Sequence, residues 1–425
     1  MRTGYTNCCI KDQKNSAFLV EDGKILAIGC AQDQRMQEAL ANADEEVDLH
    51  GLHVLPGKAD GHVHLLQMGR NALSVDCSAG AAERLANAPR SQAWLYGANW
   101  DGDAEKLNRT ILDEAVNDRP AVVLSRDGQA MALNSAALQA CAIDENTKVE
   151  SGSIDVEKGV VRQTGVDLVR QAMPAPDAEE IKTWLLKGME LAAAQGITAV
   201  GSEDFLSTNE TYQDVLTAYE QLSYQQKMKI RVSELVSFCQ IEDFASFLDE
   251  GYSYDVGNDF FKIGALLLKL DDASDQELRY DDATVQLYVQ MANRFNTPVW
   301  FDAASSGAVD QALDVLQDEM YPDNPLQDAI LVHRVPSAAQ LSKAQNAKIV
   351  LGTSGFLMES DSSLFYGSDQ PFQPVLPYSS TLSVNIQNRL GFTGSLRESD
   401  PADFYVMDED RVMMTVVNGE EVYRR

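Results

Sequence analysis

The chain has 425 residues, of which 44% are hydrophobic and 23% are charged, so it has enough apolar material for a large folded core. It carries 65 acidic and 34 basic residues, for a formal net charge of −31. This balance argues against nucleic acid and anionic membranes as partners, because both require positive surface. The sequence has no apolar run of the about 18 residues that a membrane span needs and no signal-peptide core, so we predict a cytoplasmic protein.

Short strands are predicted at both ends of the chain. Residues 16–29 (SAFLVEDGKILAIG) contain two apolar runs joined by Asp22-Gly23, a strong hairpin signal. Residues 402–425 repeat this pattern, with a second hairpin turn at Asn418-Gly419. Because neither end has enough strands for a stable sheet of its own, we predict that the ends pair. The resulting small β-sandwich domain comprises residues 1–57 and 394–425.

The region from 58 to 393 has a different rhythm. Short apolar runs that end in polar residues alternate with helical segments such as 177–195 and 283–295. Eight such runs predict an α/β fold, a (β/α)8 TIM-like barrel with buried parallel strands, in which all the strand ends face one mouth. The predicted barrel strands are 57–65, 196–204, 230–236, 260–268, 297–305, 329–335, 348–354 and 364–370.

A long insertion, about residues 70–195, separates the first two barrel strands. Inserted segments at the mouth of a barrel commonly form a cap or a wall of the substrate pocket. Trp100 and Gln129 are therefore candidate pocket residues. For Trp100 the alternative is the insertion's own hydrophobic core. The six cysteines are scattered without CxxC spacing, which argues against a disulfide framework or a thiolate zinc site.

Two of the five histidines, His62 and His64, end the first predicted strand. Residues two apart on a strand point the same way, so both imidazoles can bind one ion. Asp369 ends the eighth strand, which becomes a neighbour of the first when the barrel closes, and its carboxylate can accept a proton from an activated water. The alternative is a pair of ordinary core or surface histidines. Glu203 and Asp204 follow strand two and fit a solvated loop better than the mouth.

Further candidates lie on the strands between these two. Lys262 is on strand four, Asp302 ends strand five, and His333 ends strand six beside Arg334, a candidate pocket residue. Each has a structural alternative. Lys262 can be a buried lysine paired with an acid, and His333 a core histidine bonded to the backbone. Asp302 can support a metal ligand or cap the next helix, because DAASSGAVDQAL also fits a helix start.

The order of the sequence motifs resembles the amidohydrolase superfamily. The likeness covers nearly the whole chain and points to the family 3 branch, which includes N-substituted formamide deformylases and related N-acyl hydrolases. The matching segments are LVEDGKILAIG, VLPGKADGHVHL, NWDGD, LDEAVNDRPAVVLSRDG, LNSAAL, GITAVGSED, SGAVDQALDVL, GSDQPF and GSLRESDPADFYVMD.

This resemblance implies a barrel that binds one or two divalent metal ions, with zinc expected. The HxH pair corresponds to His62 and His64, and the remaining metal ligands to His333 and Asp369. The strand-four lysine, often carboxylated to bridge two metals, corresponds to Lys262.

The sequence also departs from the family pattern. Asp302 stands where the fifth strand usually ends in a metal-binding histidine, and Gln129 stands in place of a pocket histidine. These departures leave open whether a second metal is bound.

The resemblance also implies an activity: hydrolysis of an amide-type C–N bond, in an N-acyl or N-formyl compound, by a metal-activated water. Asp369 would take the proton of this water and return it to the leaving amine. Two alternatives stay open. One is a degenerate member that binds a ligand without turnover, and the other is a hydrolase of lactones or cyclic ureides. The expected partner is a small-molecule substrate, and the sequence leaves a homo-oligomer open.

Overall fold

The computed structural model describes most of the chain, in several segments. Two residues of the eighth predicted barrel strand, 364 and 365, lie outside them, as does Cys239. No helix in the described part of the chain is both long enough and apolar enough to cross a bilayer. The described residues are 1–11, 13–90, 93–149, 151–205, 209, 211–238, 240–271, 278–319, 328–354, 366–371, 373 and 380–425.

The N-terminal segment forms strands and one short helix. The first three strands make an antiparallel meander, with Asp22-Gly23 at the second turn as predicted. The elements are β1 (Arg2–Ile10), β2 (Gln13–Glu21), β3 (Lys24–Cys30), α1 (Gln34–Leu40), β4 (Glu45–Asp48) and β5 (His53–Pro56).

The first barrel strand, β6 (Lys58–Val63), leads directly into helix α2 (Leu65–Leu73). The insertion that follows is a separate six-stranded sheet in the order β11-β12-β10-β9-β8-β7. It has its own hydrophobic core, so it folds as a compact layer beside the barrel. Its elements are β7 (Val75–Asp76), α3 (Ala81–Ala86), β8 (Leu95–Trp100), α4 (Arg109–Ala115), β9 (Ala121–Ser125), β10 (Ala130–Leu133), α5 (Ser135–Ala140), β11 (Ser153–Asp155), β12 (Val160–Arg162) and α6 (Thr164–Ala172).

The rest of the barrel alternates helices and strands as predicted. Helix α7 begins with a capping box, in which Asp177 and Glu180 each accept a hydrogen bond from the other's backbone N–H. The elements are α7 (Ala178–Ala193), β13 (Ile197–Ser202), α8 (Tyr212–Tyr224), β14 (Arg231–Val236), α9 (Ile241–Asp249), β15 (Phe261–Lys269), α10 (Asp282–Arg294), β16 (Val299–Ala303), α11 (Ser306–Glu319), β17 (Ala329–Val332), α12 (Ala338–Ala347), β18 (Val350–Ser354), β19 (Tyr366–Gly367) and α13 (Ser380–Arg389).

The eight barrel strands are all parallel, in the order β6-β13-β14-β15-β16-β17-β18-β19. A bridge between Val63 and Gln370 brings the eighth strand back to the first. Large apolar side chains, including Trp300 and Tyr366, form a buried cluster on the strands. A second, larger cluster packs the strands against the helices, so the barrel is a packed core with its chemistry confined to the mouth.

The two chain ends share one sheet, which confirms the prediction that they pair with each other. The final strands are β20 (Phe404–Asp408), β21 (Arg411–Val417) and β22 (Glu420–Arg424). β20 pairs antiparallel with β5, giving the order β22-β21-β20-β5-β1-β2-β3, with β4 beside β1. Tyr5 stacks on Phe18 with ring centroids 4.8 Å apart, and Phe404 meets Phe18 edge-on at 5.1 Å. Aromatic residues from both ends of the chain therefore form one core.

Candidate metal centre

His62 and His64 lie where β6 ends and α2 begins. The two rings are 5.0 Å apart between centroids, and His62 is 1% exposed. Strand β19 can approach β6 here because it carries glycine. A Cβ atom at Gly367 would lie 2.4 Å from the Cβ of His62, so any larger residue would push the strands apart. The sequence thus places both imidazoles against the end of the eighth strand.

Asp369 adopts a left-handed backbone conformation, with φ +63°, which residues other than glycine rarely adopt. Hydrogen bonds hold it there. Its N–H donates to the His62 carbonyl at 2.8 Å, while the buried Asp60 carboxylate accepts the N–H of Ser368 at 2.8 Å. This conformation places the Asp369 carboxylate oxygen Oδ1 3.1 Å from Nε2 of His64.

Glu203, which the sequence favoured as part of a solvated loop, contacts both histidines. Its Oε2 lies 3.3 Å from Nε2 of His62, and its backbone carbonyl lies 3.1 Å from Nδ1 of His64. The expectation for Asp204 is wrong in the same way, because this side chain is fully buried and accepts hydrogen bonds from Tyr219 and Ser202. The end of strand two therefore belongs to the site. The sequence does carry a sign of this position, since Glu203 and Asp204 stand at the end of a predicted barrel strand.

The environment of this site favours positive charge. Burial alone would lower the pKa of His64, but the hydrogen bond with Asp369 and the charge of Glu203 outweigh it and raise the pKa to about 9. Burial likewise raises the pKa of Glu203, but its hydrogen bond with His62 and the neighbouring imidazoles dominate, and this pKa falls to about 2. Two carboxylates, those of Glu203 and Asp369, therefore attract a cation to the histidines.

The side chains fit a divalent metal ion. One ligand atom each from His62, His64 and Asp369 lie within 4.8 Å of one another, and within the described ranges these residues form the one such cluster of three. Oδ1 of Asp369 is 4.0 Å from Nδ1 of His62 and 3.1 Å from Nε2 of His64. Tetrahedral zinc with bonds of about 2.0–2.1 Å separates its ligands by roughly 3.3–3.4 Å, between these two values.

Two further observations support this fit. Nδ1 of His62 is buried and has no hydrogen-bond partner among the described atoms. The Glu203 carbonyl can only accept, so Nδ1 of His64 carries a hydrogen, while Nε2 faces the Asp369 carboxylate at 3.1 Å. With a pKa of about 9, His64 supplies a second ring hydrogen at this contact when no ion is bound. Two acceptors at this distance repel each other unless a proton or a cation lies between them.

Asp302 and His333 form a separate ion pair at the same mouth, between Oδ1 and Nε2. The Asp302 charge raises the pKa of His333 to about 9, and His333 in turn lowers the pKa of Asp302 against the effect of burial. Asp302 also interacts electrostatically with His62. Asp302 does not cap α11, because Oγ of Ser305 accepts the Ala308 N–H at 3.1 Å. The strand-five and strand-six candidates are therefore brought near the histidines, but they are paired with each other.

The structure does not bring Lys262 to this site. Lys262 lies near the start of β15, where its ammonium donates to Asp255 at 2.6 Å and to the Gly391 carbonyl at 3.0 Å. The mouth is at the other end of the strand, about 23 Å away for seven residues of β-structure. Lys269 occupies that end, in register with Asp302. The segment FKIGALLLK has a lysine at each end, and the rule that chemistry lies at strand C-termini selects Lys269.

The three candidate pocket residues have different surroundings. Trp100 is 2% exposed and packs in the core of the insertion, where its indole donates to the Asp103 carbonyl at 3.3 Å. It therefore fits the structural alternative. Gln129 is exposed in the turn between β9 and β10. Arg334 is exposed directly after His333, so of the three it is the one at the end of a barrel strand.

Comparisons with known proteins agree with this architecture. The sequence profile of the amidohydrolase family matches residues 45–381. The putative amidohydrolase YtcJ of Bacillus subtilis is 27% identical over 382 residues, covering 82% of this chain and 71% of YtcJ. An uncharacterized metal-dependent hydrolase from Pyrococcus furiosus superposes with a TM-score of 0.76 at 17% identity, covering 96% of this chain and 99% of that one. N-isopropylammelide isopropylaminohydrolase from Burkholderia multivorans superposes with a TM-score of 0.54 at 13% identity, covering 100% and 98%. The chain belongs to the amidohydrolase family.

Proposed function

We propose that this metal-dependent hydrolase cleaves an amide-type C–N bond, in an N-acyl or N-formyl compound, with one zinc-like ion at the mouth of the barrel. His62, His64 and Asp369 would hold the ion. The observation that carries the proposal is the cluster of His62, His64 and Asp369, which offer one ligand atom each within 4.8 Å of one another. A structural relative named as an isopropylaminohydrolase supports C–N bond chemistry on this fold.

The bound ion would supply a Lewis acid for the scissile carbonyl and would lower the pKa of a water toward about 7. The other steps fall to the protein's own side chains. The Asp369 carboxylate accepts the proton of the attacking water and returns it to the leaving nitrogen. The left-handed backbone at Asp369 fixes the direction of this carboxylate, so little reorganisation is needed during the reaction.

His333 would act on the substrate at the same mouth. Its pKa of about 9 keeps it protonated at neutral pH, with one N–H directed at Asp302. The imidazolium can stabilise negative charge that develops on the substrate oxygen. The Asp302–His333 pair would in this way provide electrostatic stabilisation where a second metal would otherwise stand.

The contacts favour one ion over two. Asp302 and His333 are already paired, and Lys262 contacts Asp255 away from the mouth, so carboxylation of Lys262 has no support. If a second ion binds, Lys269 is the lysine placed to assist, because it is in register with Asp302 at the mouth.

The test is a substrate panel of N-formyl amines, N-acyl amines, lactones and cyclic ureides, assayed with the zinc-loaded protein. We expect amine release from the N-formyl or N-acyl compounds. Asp369→Asn should lower kcat by about 10²–10⁴-fold, the usual contribution of a general base. Asp249→Asn, at an exposed position near the end of α9, is the control and should leave kcat unchanged. Turnover by Asp369→Asn at the wild-type rate would refute the assigned role.

Ligand binding without turnover is the second candidate. The ion pair between Asp302 and His333 favours it, because it occupies side chains that would otherwise be free to ligate. Under this alternative no compound in the panel is hydrolysed, while substrate analogues still bind to wild type and to Asp369→Asn equally. Hydrolysis restricted to the lactones or cyclic ureides would instead change the assigned bond.

A further inference from the structure

We propose that a cavity on the outer side of the barrel strands, separate from the metal centre, binds a small organic cation, such as an ammonium group with an apolar body. The cavity has a volume of about 330 Å³ and lies between α8 and the segment that leads into β15. This volume is at the lower end of the range for small-ligand sites. The proposal goes beyond the hydrolytic reaction and does not depend on it.

One wall of the cavity is a single face of α8. Leu216, Glu220 and Tyr224 are spaced four residues apart, so their side chains lie on the same side of the helix. Leu216 is 1% exposed, whereas Tyr224 is 92% exposed. The wall therefore runs from the protein core to the surface, and its outer end is accessible to a ligand.

Aromatic rings form much of the remaining surface. Tyr252 stacks on the buried Phe247 with ring centroids 5.1 Å apart, and Phe261 stacks on Tyr219 at 4.5 Å. Each of these two stacks covers one face of a ring that lines the cavity. With Tyr224, three aromatic rings line the same space, and the faces of such rings attract cations.

Glu220 gives the cavity its preference for positive charge. Of the described residues that line the cavity, it is the one that is charged, and it forms no ion pair within the described part of the chain. Burial raises the pKa of the Tyr252 hydroxyl, and the charges of Glu220 and Glu250 raise it further. The cavity thus combines aromatic rings with negative potential, and this combination recognises an organic cation.

Hydrogen bonds within the protein hold the two walls in place. Nδ2 of Asn258 donates to Oγ of Ser223 at 2.8 Å, which ties the segment before β15 to α8. The Ile263 N–H donates to the Val256 carbonyl at 2.9 Å, which fixes the fold of that segment. A cavity that is already formed loses little conformational freedom when a ligand enters.

A second copy of the chain fits this surface less well than a cation does. In a two-fold interface the same patch meets itself, which would bring Glu220 toward its own counterpart. The chain also carries a net charge of −31, so two copies repel each other. The Glu220 carboxylate likewise disfavours an anionic ligand. A small organic cation complements both the rings and the charge.

The probe is benzyltrimethylammonium, which is permanently charged and has no lone pair with which to ligate a metal ion. Benzyl alcohol is the neutral aromatic comparison. Binding of each to the full-length chain is measured by saturation-transfer NMR titration. We expect a Kd of about 0.1–10 mM for the cation, ordinary for a ligand of about eleven non-hydrogen atoms, and binding about 2–10-fold weaker for benzyl alcohol.

Two variants test the location of the bound cation. Glu220→Gln removes the charge and keeps the shape of the side chain, and Tyr224→Ala removes one ring. Both positions are exposed, so the variants should unfold at the wild-type temperature. Each should raise the Kd of benzyltrimethylammonium about 2–10-fold. Glu114→Gln, at an exposed position on α4, is the matched control and should bind as wild type does.

The inference is overturned if wild type binds no benzyltrimethylammonium at about 50 mM, or if Glu220→Gln and Tyr224→Ala both bind it as wild type does. Equal affinity for benzyl alcohol would identify a merely apolar cleft. A change of mass in sedimentation on Tyr224→Ala, without cation binding by wild type, would identify an interface between copies. Loss of binding in His62→Ala, with full binding by Glu220→Gln, would place the cation at the metal centre. Each of these three results also contradicts the inference.

Discussion

The buried ion pair between Arg231 and Asp403 joins the barrel to the terminal sheet. Arg231 begins β14 and Asp403 directly precedes β20, and their side chains are 4% and 1% exposed. The guanidinium donates to both carboxylate oxygens, at 2.6 and 3.0 Å, and to the Asp259 carbonyl at 2.6 Å. We predict that Arg231→Met strongly destabilises the protein.

The magnitude follows from what the substitution leaves behind. Without Arg231, the Asp403 carboxylate stays buried with one backbone donor, the N–H of Asn418 at 2.7 Å. Breaking a buried pair by removal of one partner typically costs about 3–5 kcal/mol. Arg231→Met with Asp403→Asn removes both charges, so the double variant should lose less than the sum of the two single losses.

Urea-induced unfolding, followed by circular dichroism and tryptophan fluorescence, measures these changes. Arg35 and Glu398 provide the control, since one guanidinium nitrogen of Arg35 donates to both Glu398 carboxylate oxygens at 2.8 Å, but the two side chains are 74% and 37% exposed. Exposed pairs contribute about 0–1 kcal/mol, so Arg35→Ala should have little effect. A loss below about 1 kcal/mol for Arg231→Met would contradict this prediction, because the buried pair would then contribute no more than an exposed one.

Two further predictions concern stability. Gly188→Ala should destabilise the fold by about 1–3 kcal/mol or more in thermal unfolding, because its Cβ would lie 2.2 Å from the Leu65 carbonyl oxygen. Gly307→Ala is the control. Its Cβ would meet nothing closer than 3.8 Å, so it should be neutral or stabilising in the same assay. Burial raises the pKa of Asp328 to about 6, although its carboxylate accepts the Val299 N–H at 2.8 Å. Because the pKa of Asp328 is higher in the folded than in the unfolded state, the folded state binds the proton more tightly. The stability that this proton contributes is complete below about pH 4 and is lost as the pH rises through about 6. Asp328→Asn should therefore unfold like wild type near pH 4 and be more stable, by at most about 3 kcal/mol, at pH 7; equal stability at pH 7 would contradict the assignment.

Much of the fold could be predicted from the sequence because its signals are local. Alternating apolar runs and helices located the eight barrel strands, and Asp22-Gly23 and Asn418-Gly419 marked hairpin turns that the structure contains. The six-stranded sheet of the insertion was not predicted. Its strands are short and pair with their neighbours in ways that apolar pattern alone does not determine.

The candidate site was predicted less completely, because the position of some side chains depends on strand boundaries and on contacts between distant segments. The closeness of His62, His64 and Asp369 follows from strand order and barrel closure, which the sequence pattern specifies. The choice between Lys262 and Lys269 depends on where β15 starts relative to the mouth, and strand boundaries are the least certain part of such a prediction. The contacts of Glu203 with both histidines depend on the distances between side chains at the end of β13 and of β6, which the position after a strand suggests but does not specify.

Elemental analysis of metal per chain, after purification without chelators, tests most directly whether His62, His64 and Asp369 hold a divalent ion. We expect one divalent ion per wild-type chain. The ion should be lost in His62→Ala and in the double variant Asp369→Asn/His64→Ala, and retained in Lys262→Ala. A wild-type chain that binds no metal, or a His62→Ala variant with unchanged metal content, would contradict a metal centre at His62, His64 and Asp369.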